Sequence, residues 1–139
     1  MRKREPWALA LGIALGSWQG GGAAAGPSGE VDWAHVRVVT VQMVDDRFVP
    51  DKLVFQSGAA YRLHLVNAGS DLHEFTAPEF LKAIAIRNPD VLEPTRSDEI
   101  VLQPKEQKDL YFVARGPGRY KLVCANHDWD NMVGEITIE

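Results

Sequence analysis

Three residue types that bind soft metals lie close together near the C-terminus. Cys124, His127 and Met132 fall within the nine-residue stretch Cys-Ala-Asn-His-Asp-Trp-Asp-Asn-Met. Thiolate and thioether ligands select copper over harder metals, whereas imidazole suits several metals. Two histidines, one cysteine and a weak axial methionine form the ligand set of electron-transfer copper sites. One loop could therefore supply three ligands of such a site.

Strand-like segments flank this loop and would hold it in place. Residues 120–124 form an apolar run and residues 133–138 a strand-like run, so the residues between them are predicted to form a loop joining two strands. The three-residue spacing of Cys124 and His127 lets one turn bring both side chains to one point. A second histidine is then required. His73 is the best candidate, because a strand predicted for 72–76 places it on one face with Phe75 beside a turn at 68–71.

Other ligands and other metals remain open at this point. The strand predicted for 61–67 places its apolar residues on one face, so His64 is expected on the solvent face or at an edge. His35 is not excluded by its spacing. Glu74 could serve as a carboxylate ligand or as a base, although adjacent residues of a strand face opposite sides and His73 and Glu74 should not both point inward. Zinc is the main competing ion, but its structural sites seldom use a thioether such as that of Met132.

The N-terminus has the features of a secretory signal. A basic start at 2–4 and an apolar stretch at 7–18 precede the Ala-rich sequence at 23–25. We expect residues 1–25 to be a signal peptide cleaved after Ala25, with an uncleaved anchor as the alternative, and hence a periplasmic protein. Residues 26–34 are predicted to be a flexible lead-in, and residues 35–139 a single domain.

Charge and cysteine content narrow the function further. The sequence carries a formal net charge of −4, and removal of the basic leader makes the remaining chain more acidic. This balance argues against nucleic acid and anionic membrane surfaces as partners. Cys124 is the one cysteine, so no intramolecular disulfide can form in an oxidising compartment. A buried small hydrophobe and a reactive thiol are the alternatives to a thiolate protected by a metal.

The spacing of the elements indicates an all-β fold. Short strands separated by turn signals are predicted at 35–43, 52–56, 61–67, 72–76, 98–102, 107–114, 120–124 and 133–138. Residues 78–87 begin with proline and contain helix formers, which predicts one short helix or covering excursion. Strands without a βαβ rhythm favour an antiparallel sandwich or barrel of the Greek-key type.

From about residue 36 to the end, the chain resembles a cupredoxin, the plastocyanin and pseudoazurin type of small blue-copper protein. The similarity is closest at 118–138, where Tyr120 precedes Cys-x2-His-x4-Met and a following Val-Gly. Residues 47–50, 63–67 and 73–75 are similar to the cupredoxin stretch that delivers the first histidine. The resemblance implies a Greek-key β-sandwich with copper at one end. The ligands that it implies are His73, Cys124, His127 and axial Met132.

Two residues depart from the usual pattern of that family. Plastocyanins and azurins usually follow the first histidine ligand with an asparagine that ties the ligand segments together, and here Glu74 stands in its place. Plastocyanin-like loops usually have proline just before the second histidine, whereas this chain has Asn126, which leaves an extra amide near the sulfur. The bracing of the site and its reduction potential are therefore expected to differ, since hydrogen bonds near the sulfur tune the potential.

The expected function is a blue-copper electron carrier in the periplasm. A complete ligand set leaves no substrate position, so an enzyme is not expected. The competing function is copper handling for transport, storage or oxidase assembly. Such carriers usually have Met-rich sites, and after the leader this chain contains only Met43 and Met132, which favours electron transfer.

The partner is expected to be a redox protein such as a c-type cytochrome or an oxidase. In the family, the histidine corresponding to His127 is the usual electron port, and Asp128, Trp129 and Asp130 follow it here. These residues would favour a basic partner with an apolar contact. We expect a monomer, no nucleic-acid partner and no membrane insertion of the mature chain.

Overall fold

The computed structural model describes residues 29–127 and 132–139. The predicted leader and the Asp128, Trp129 and Asp130 cluster lie outside the described residues. Within them, the chain forms ten strands, one short helix and a 3-10 turn at Pro89–Val91. The strands are β1 Arg37–Val44, β2 Arg47–Val49, β3 Lys52–Phe55, β4 Ala60–Asn67, β5 His73–Thr76, β6 Ile84–Ile86, β7 Glu99–Leu102, β8 Gln107–Ala114, β9 Gly118–Val123 and β10 Val133–Ile138, and the helix is α1 Pro78–Lys82.

Two five-stranded sheets pack face to face, which confirms the predicted all-β sandwich. The first sheet has the order β2-β1-β4-β8-β6, and the second has the order β3-β10-β9-β5-β7. Strict alternation in β4 and β8 sends their apolar side chains into the space between the sheets. The ring of Phe55 meets that of Phe112 edge-on at 5.1 Å and stacks with that of Phe80 at 5.7 Å. Each such buried ring contributes roughly 1.5–3 kcal/mol by removal from water.

Two strand pairs are parallel, which differs from the antiparallel arrangement expected from the sequence. β1 runs parallel to β4, with Val39 opposite Leu63, and β3 runs parallel to β10, with Leu53 opposite Ile136. The cause is that the chain leaves the first sheet after the three-residue strand β2, forms β3 in the second sheet, and only then returns as β4. The crossover between the sheets provides the long connection that parallel neighbours require.

The segment predicted as a helix or covering excursion at 78–87 is half helix and half strand. Helix α1 ends at Lys82, and Ile84–Ile86 forms β6, which pairs antiparallel with β8 at the edge of the first sheet. The β-branched Ile84 and Ile86 suit a pleated edge better than a helix. Strand β2 and the 3-10 turn were not predicted from the sequence, while the predicted strands match the observed ones to within two residues.

The lead-in contacts the first sheet through an aromatic residue. The ring of Trp33 packs edge-on against Tyr111 with 6.1 Å between ring centroids, and the Arg87 guanidinium lies 4.9 Å from the centroid of the Trp33 ring. Such a cation–π contact contributes about 0.5–1 kcal/mol at an exposed site. Among residues 29–127 and 132–139, no helix has the length and apolar character needed to cross a membrane.

The second sheet brings the predicted ligand segments to one end of the sandwich. His73 begins β5, Cys124 directly follows β9, and Met132 directly precedes β10. β10 pairs with β9 along six residues, whereas β9 and β5 are joined through a single register pair, Thr76 opposite Val123. The strand ends beyond that pair carry the residues of the candidate site.

Candidate metal centre

A stiff turn presents His73 to the interior. The Asn67 side chain donates hydrogen bonds to the backbone oxygens of Asp71 at 2.8 Å and Leu102 at 3.0 Å, and accepts one from the Gly69 N–H at 2.9 Å. The turn therefore has little freedom to move. His73 itself is 1% exposed, and a Cβ at position 69 would lie 3.0 Å from its Nε2. Glycine thus leaves the space that the buried imidazole occupies.

The second ligand segment is closed by its own backbone hydrogen bonds. The His127 N–H donates to the Cys124 oxygen at 3.0 Å, so a turn brings these two side chains together as their spacing predicted. The Met132 N–H donates to the His127 oxygen and the Cys124 N–H to the Met132 oxygen, each at 3.1 Å. Met132 is fully buried at the base of this loop. Its role as an axial ligand stays a prediction.

Three predicted ligand residues converge on one point. The Cys124 sulfur lies 3.4 Å from Nδ1 of His127 and 3.8 Å from Nδ1 of His73. The ligand atoms of the three residues all lie within 4.8 Å of one another. Cys124 is fully buried and His127 is half-buried at the rim. His73, Cys124 and His127 therefore form a candidate metal site with one face close to solvent.

The environment of these side chains suits a soft cation. Burial lowers the pKa of His73, and the nearby His127 adds to this effect, so the neutral imidazole that binds metals is favoured. Burial raises the pKa of the Cys124 thiol, while the N–H groups of Glu74, Asn126 and His127 act in the opposite direction. A bound metal ion supplies the positive charge that deprotonates such a thiol. The donor set of one thiol and two imidazoles fits copper.

Glu74 braces the site from outside the ligand cluster. The carboxylate accepts a hydrogen bond from the Asn126 N–H at 3.1 Å, and the Glu74 N–H lies 3.3 Å from the Cys124 sulfur. His73 and Glu74 thus face opposite sides of β5, as the strand alternation predicted. Burial raises the pKa of Glu74, and the neighbouring Glu99 raises it further. The sequence showed that Glu74 departs from the usual family pattern, but it could not identify the Asn126 N–H as the hydrogen-bond partner of its carboxylate.

The remaining histidines lie elsewhere. His64 is on the outer face of the first sheet, where its Nδ1 lies 2.7 Å from the Asp109 carboxylate, which also accepts a 2.9 Å hydrogen bond from Arg62. His35 is exposed and pairs with Asp32 at 2.8 Å. Neither histidine belongs to the His73, Cys124 and His127 cluster. Each of these two histidines thus contacts a carboxylate outside the candidate metal site.

Comparison with known proteins identifies the family of the chain. The family model of the cupredoxin-like domain matches residues 10–138. The chain belongs to this family. The family includes copper-binding electron carriers. None of the curated proteins matches the sequence.

Solved structures with the same fold include two auracyanins. Auracyanin B is 21% identical, with a TM-score of 0.56 over 74% of this chain and 88% of its own. The dithionite-reduced auracyanin of the photosynthetic bacterium Roseiflexus castenholzii is 15% identical, with a TM-score of 0.51 over 72% of this chain and 96% of its own. At these identities the likeness concerns the fold alone. It agrees with the cupredoxin sandwich expected from the sequence.

Proposed function

We propose that this cupredoxin is a type 1 copper protein that carries single electrons between redox partners in the periplasm. The observation that supports this most directly is that the Cys124 sulfur lies 3.4 Å from Nδ1 of His127 and 3.8 Å from Nδ1 of His73. Met132 would complete the ligand set, because it is buried and hydrogen bonded through its backbone to both Cys124 and His127.

The four residues would have different tasks. Bound copper would supply a one-electron Cu(I)/Cu(II) couple in a ligand geometry that suits both states. His73, fixed by the Asn67 turn, would hold the buried side of the site, and the Cys124 thiolate would provide its strongest bond. His127 is the more exposed imidazole, so it would face the redox partner. Burial of His73, Cys124 and Met132 would limit the access of water from that side and restrict rearrangement of these ligands during electron transfer.

The expected leader supports export to the periplasm, where a c-type cytochrome or an oxidase would be a suitable partner. The acidic balance of the chain favours a basic docking surface on that partner. The predicted set of four ligands would leave no position for a substrate, which supports a carrier rather than an enzyme.

The experiment is to add Cu(II) to the mature protein and record visible and electron paramagnetic resonance spectra. We expect an intense thiolate-to-copper band, which Cys124→Ser abolishes and Met132→Leu shifts. Met43→Leu is the matched control, because Met43 is also fully buried but outside the predicted ligand set. Weakly bound, readily exchanged copper with a spectrum indifferent to Cys124 would instead support the copper-handling alternative.

A further inference from the structure

Glu74 contacts the cysteine segment through both its main chain and its side chain. Its N–H lies 3.3 Å from the Cys124 sulfur, and its carboxylate accepts the Asn126 N–H at 3.1 Å. These contacts join residues that are 50 and 52 positions apart in the sequence. One residue at the start of β5 therefore connects the His73 segment to the loop that carries Cys124 and His127.

Among the described residues, backbone N–H groups of Asn126 and Ala125, and no closely paired cation, compensate the charge of this carboxylate. Arg96 offsets part of the Glu74 charge, but its Nε lies 3.5 Å from Asp98 and 3.8 Å from Glu99. Glu99, itself only 4% exposed, adds a second negative charge beside Glu74. Within residues 29–127 and 132–139, no cationic side chain forms an ion pair with Glu74 at 4.0 Å or less. The negative charge of Glu74 therefore lies against the backbone of the loop that carries Cys124 and His127.

We infer that Glu74 is a positioning residue with two separable effects: its carboxylate clamps the ligand loop against β5, and its negative charge favours the oxidised over the reduced copper ion. The inference rests on the proposed function. A hydrogen bond from an N–H to a carboxylate is stronger than one to a neutral acceptor, which supports the clamp. A nearby anion stabilises the state of the site that carries more positive charge, so Glu74 lowers the reduction potential.

The consequence for function concerns the partners that this carrier fits. An amide at this position would brace the loop without adding charge, whereas Glu74 does both. Because its reduction potential would be lower, the protein would need a stronger reductant as electron donor than the same protein with a neutral residue at position 74. It would also be able to reduce an acceptor of lower potential than that variant could.

Two substitutions separate the clamp from the charge. Glu74→Gln keeps an oxygen that can accept the Asn126 N–H but removes the charge, and Glu74→Ala removes both. Glu135→Gln is the control for net charge, because Glu135 is exposed on β10 of the same sheet. The measurements are the reduction potential, the Cu(II) affinity by competition with a chelator, and hydrogen exchange of the Asn126 amide in the metal-free protein.

We expect Glu74→Gln to change the ratio of Cu(II) to Cu(I) affinity about three- to tenfold in favour of Cu(I), where tenfold equals about 59 mV. Its Cu(II) spectrum should stay close to that of the wild type, whereas its Asn126 amide should exchange at a rate between those of the wild type and Glu74→Ala, because the remaining hydrogen bond is to a neutral oxygen. Glu74→Ala should show the same rise in potential, with Cu(II) affinity about fivefold weaker than in Glu74→Gln. The Asn126 amide of Glu74→Ala should also exchange at least about fivefold faster than that of Glu74→Gln.

Each part of the inference has a result that overturns it. A potential in Glu74→Gln equal to that of wild type and Glu135→Gln would exclude the charge effect. Equal Cu(II) affinity and equal Asn126 exchange in Glu74→Ala and Glu74→Gln would exclude the clamp. If wild-type protein forms no thiolate-to-copper band, the proposed function fails, and amide exchange in the metal-free protein still decides the clamp separately.

Discussion

Replacing Gly69 by alanine tests whether the turn before β5 sets the position of His73. The added Cβ would lie 3.0 Å from His73 Nε2, 3.4 Å from Asn67 Oδ1 and 3.5 Å from the Asp45 backbone nitrogen. Asn67 cannot yield easily, because its side chain holds three hydrogen bonds. The Nε2 atom of His73 has no hydrogen-bond partner among the described residues, so we expect the imidazole to be the neighbour that shifts.

The size of the effect follows from the closeness of that contact. Inserting a methyl group into a well-packed site costs typically about 1–3 kcal/mol. Because His73 Nδ1 faces the Cys124 sulfur at 3.8 Å, movement of the ring takes the imidazole nitrogen away from the other ligand atoms. A loss of about 1.4 kcal/mol in metal binding equals a tenfold weaker affinity. We therefore expect Cu(II) to bind about tenfold more weakly to Gly69→Ala.

The assay is competition for Cu(II) with a chelator, together with thermal unfolding of the metal-free protein. Gly58→Ala is the control, because Gly58 has a positive φ of 84° and open space around its Cβ position. That variant should lose about 1 kcal/mol of stability through backbone strain and keep its metal affinity. Wild-type Cu(II) affinity in Gly69→Ala would refute the argument, whether or not the fold is destabilised.

Two further predictions concern the rest of the domain. Burial alone would raise the pKa of Asp109, but hydrogen bonds from Arg62 and His64 lower it. The resulting stabilisation is therefore present above the unfolded pKa of about 3.9 and is lost as the pH falls through the folded pKa. Asp109→Asn should destabilise by about 1–2 kcal/mol at pH 7, and urea unfolding should show a smaller difference from wild type at pH 3; an unchanged difference would contradict this. Phe112→Ala, which removes a fully buried ring beside Phe55, should cost about 3–5 kcal/mol of unfolding free energy, and a loss below about 1 kcal/mol in urea unfolding would show that the core closes around the gap.

The candidate site was largely predictable because three of the four predicted ligands are close in sequence. Cys124, His127 and Met132 share one loop, so their side-chain chemistry and spacing indicate a metal site without knowledge of the fold. His73 needed one further inference, the strand alternation that turns it inward. The partner of Glu74 depends on how closely β5 approaches a loop about 50 residues away, and no local pattern records that distance.

The fold was predictable in class but not in strand direction. Alternation shows which side chains of β4 face the core, but it is the same for parallel and antiparallel neighbours, so the parallel pairing of β1 and β4 left no trace in the sequence. The short apolar run at 84–86 fits a helix or a strand equally well by periodicity. Pairing with β8 decided in favour of the strand.

The single register pair between β5 and β9, Thr76 opposite Val123, has a mechanical consequence. Such a short seam resists sliding and separation less than the six-residue ladder between β9 and β10. A metal ion held by His73 on one side and Cys124 on the other would bridge this seam as a cross-link does. The two halves of the second sheet could then part only after the metal is released. Loading with copper should therefore slow the unfolding of the domain under force or heat, in addition to its proposed role in electron transfer.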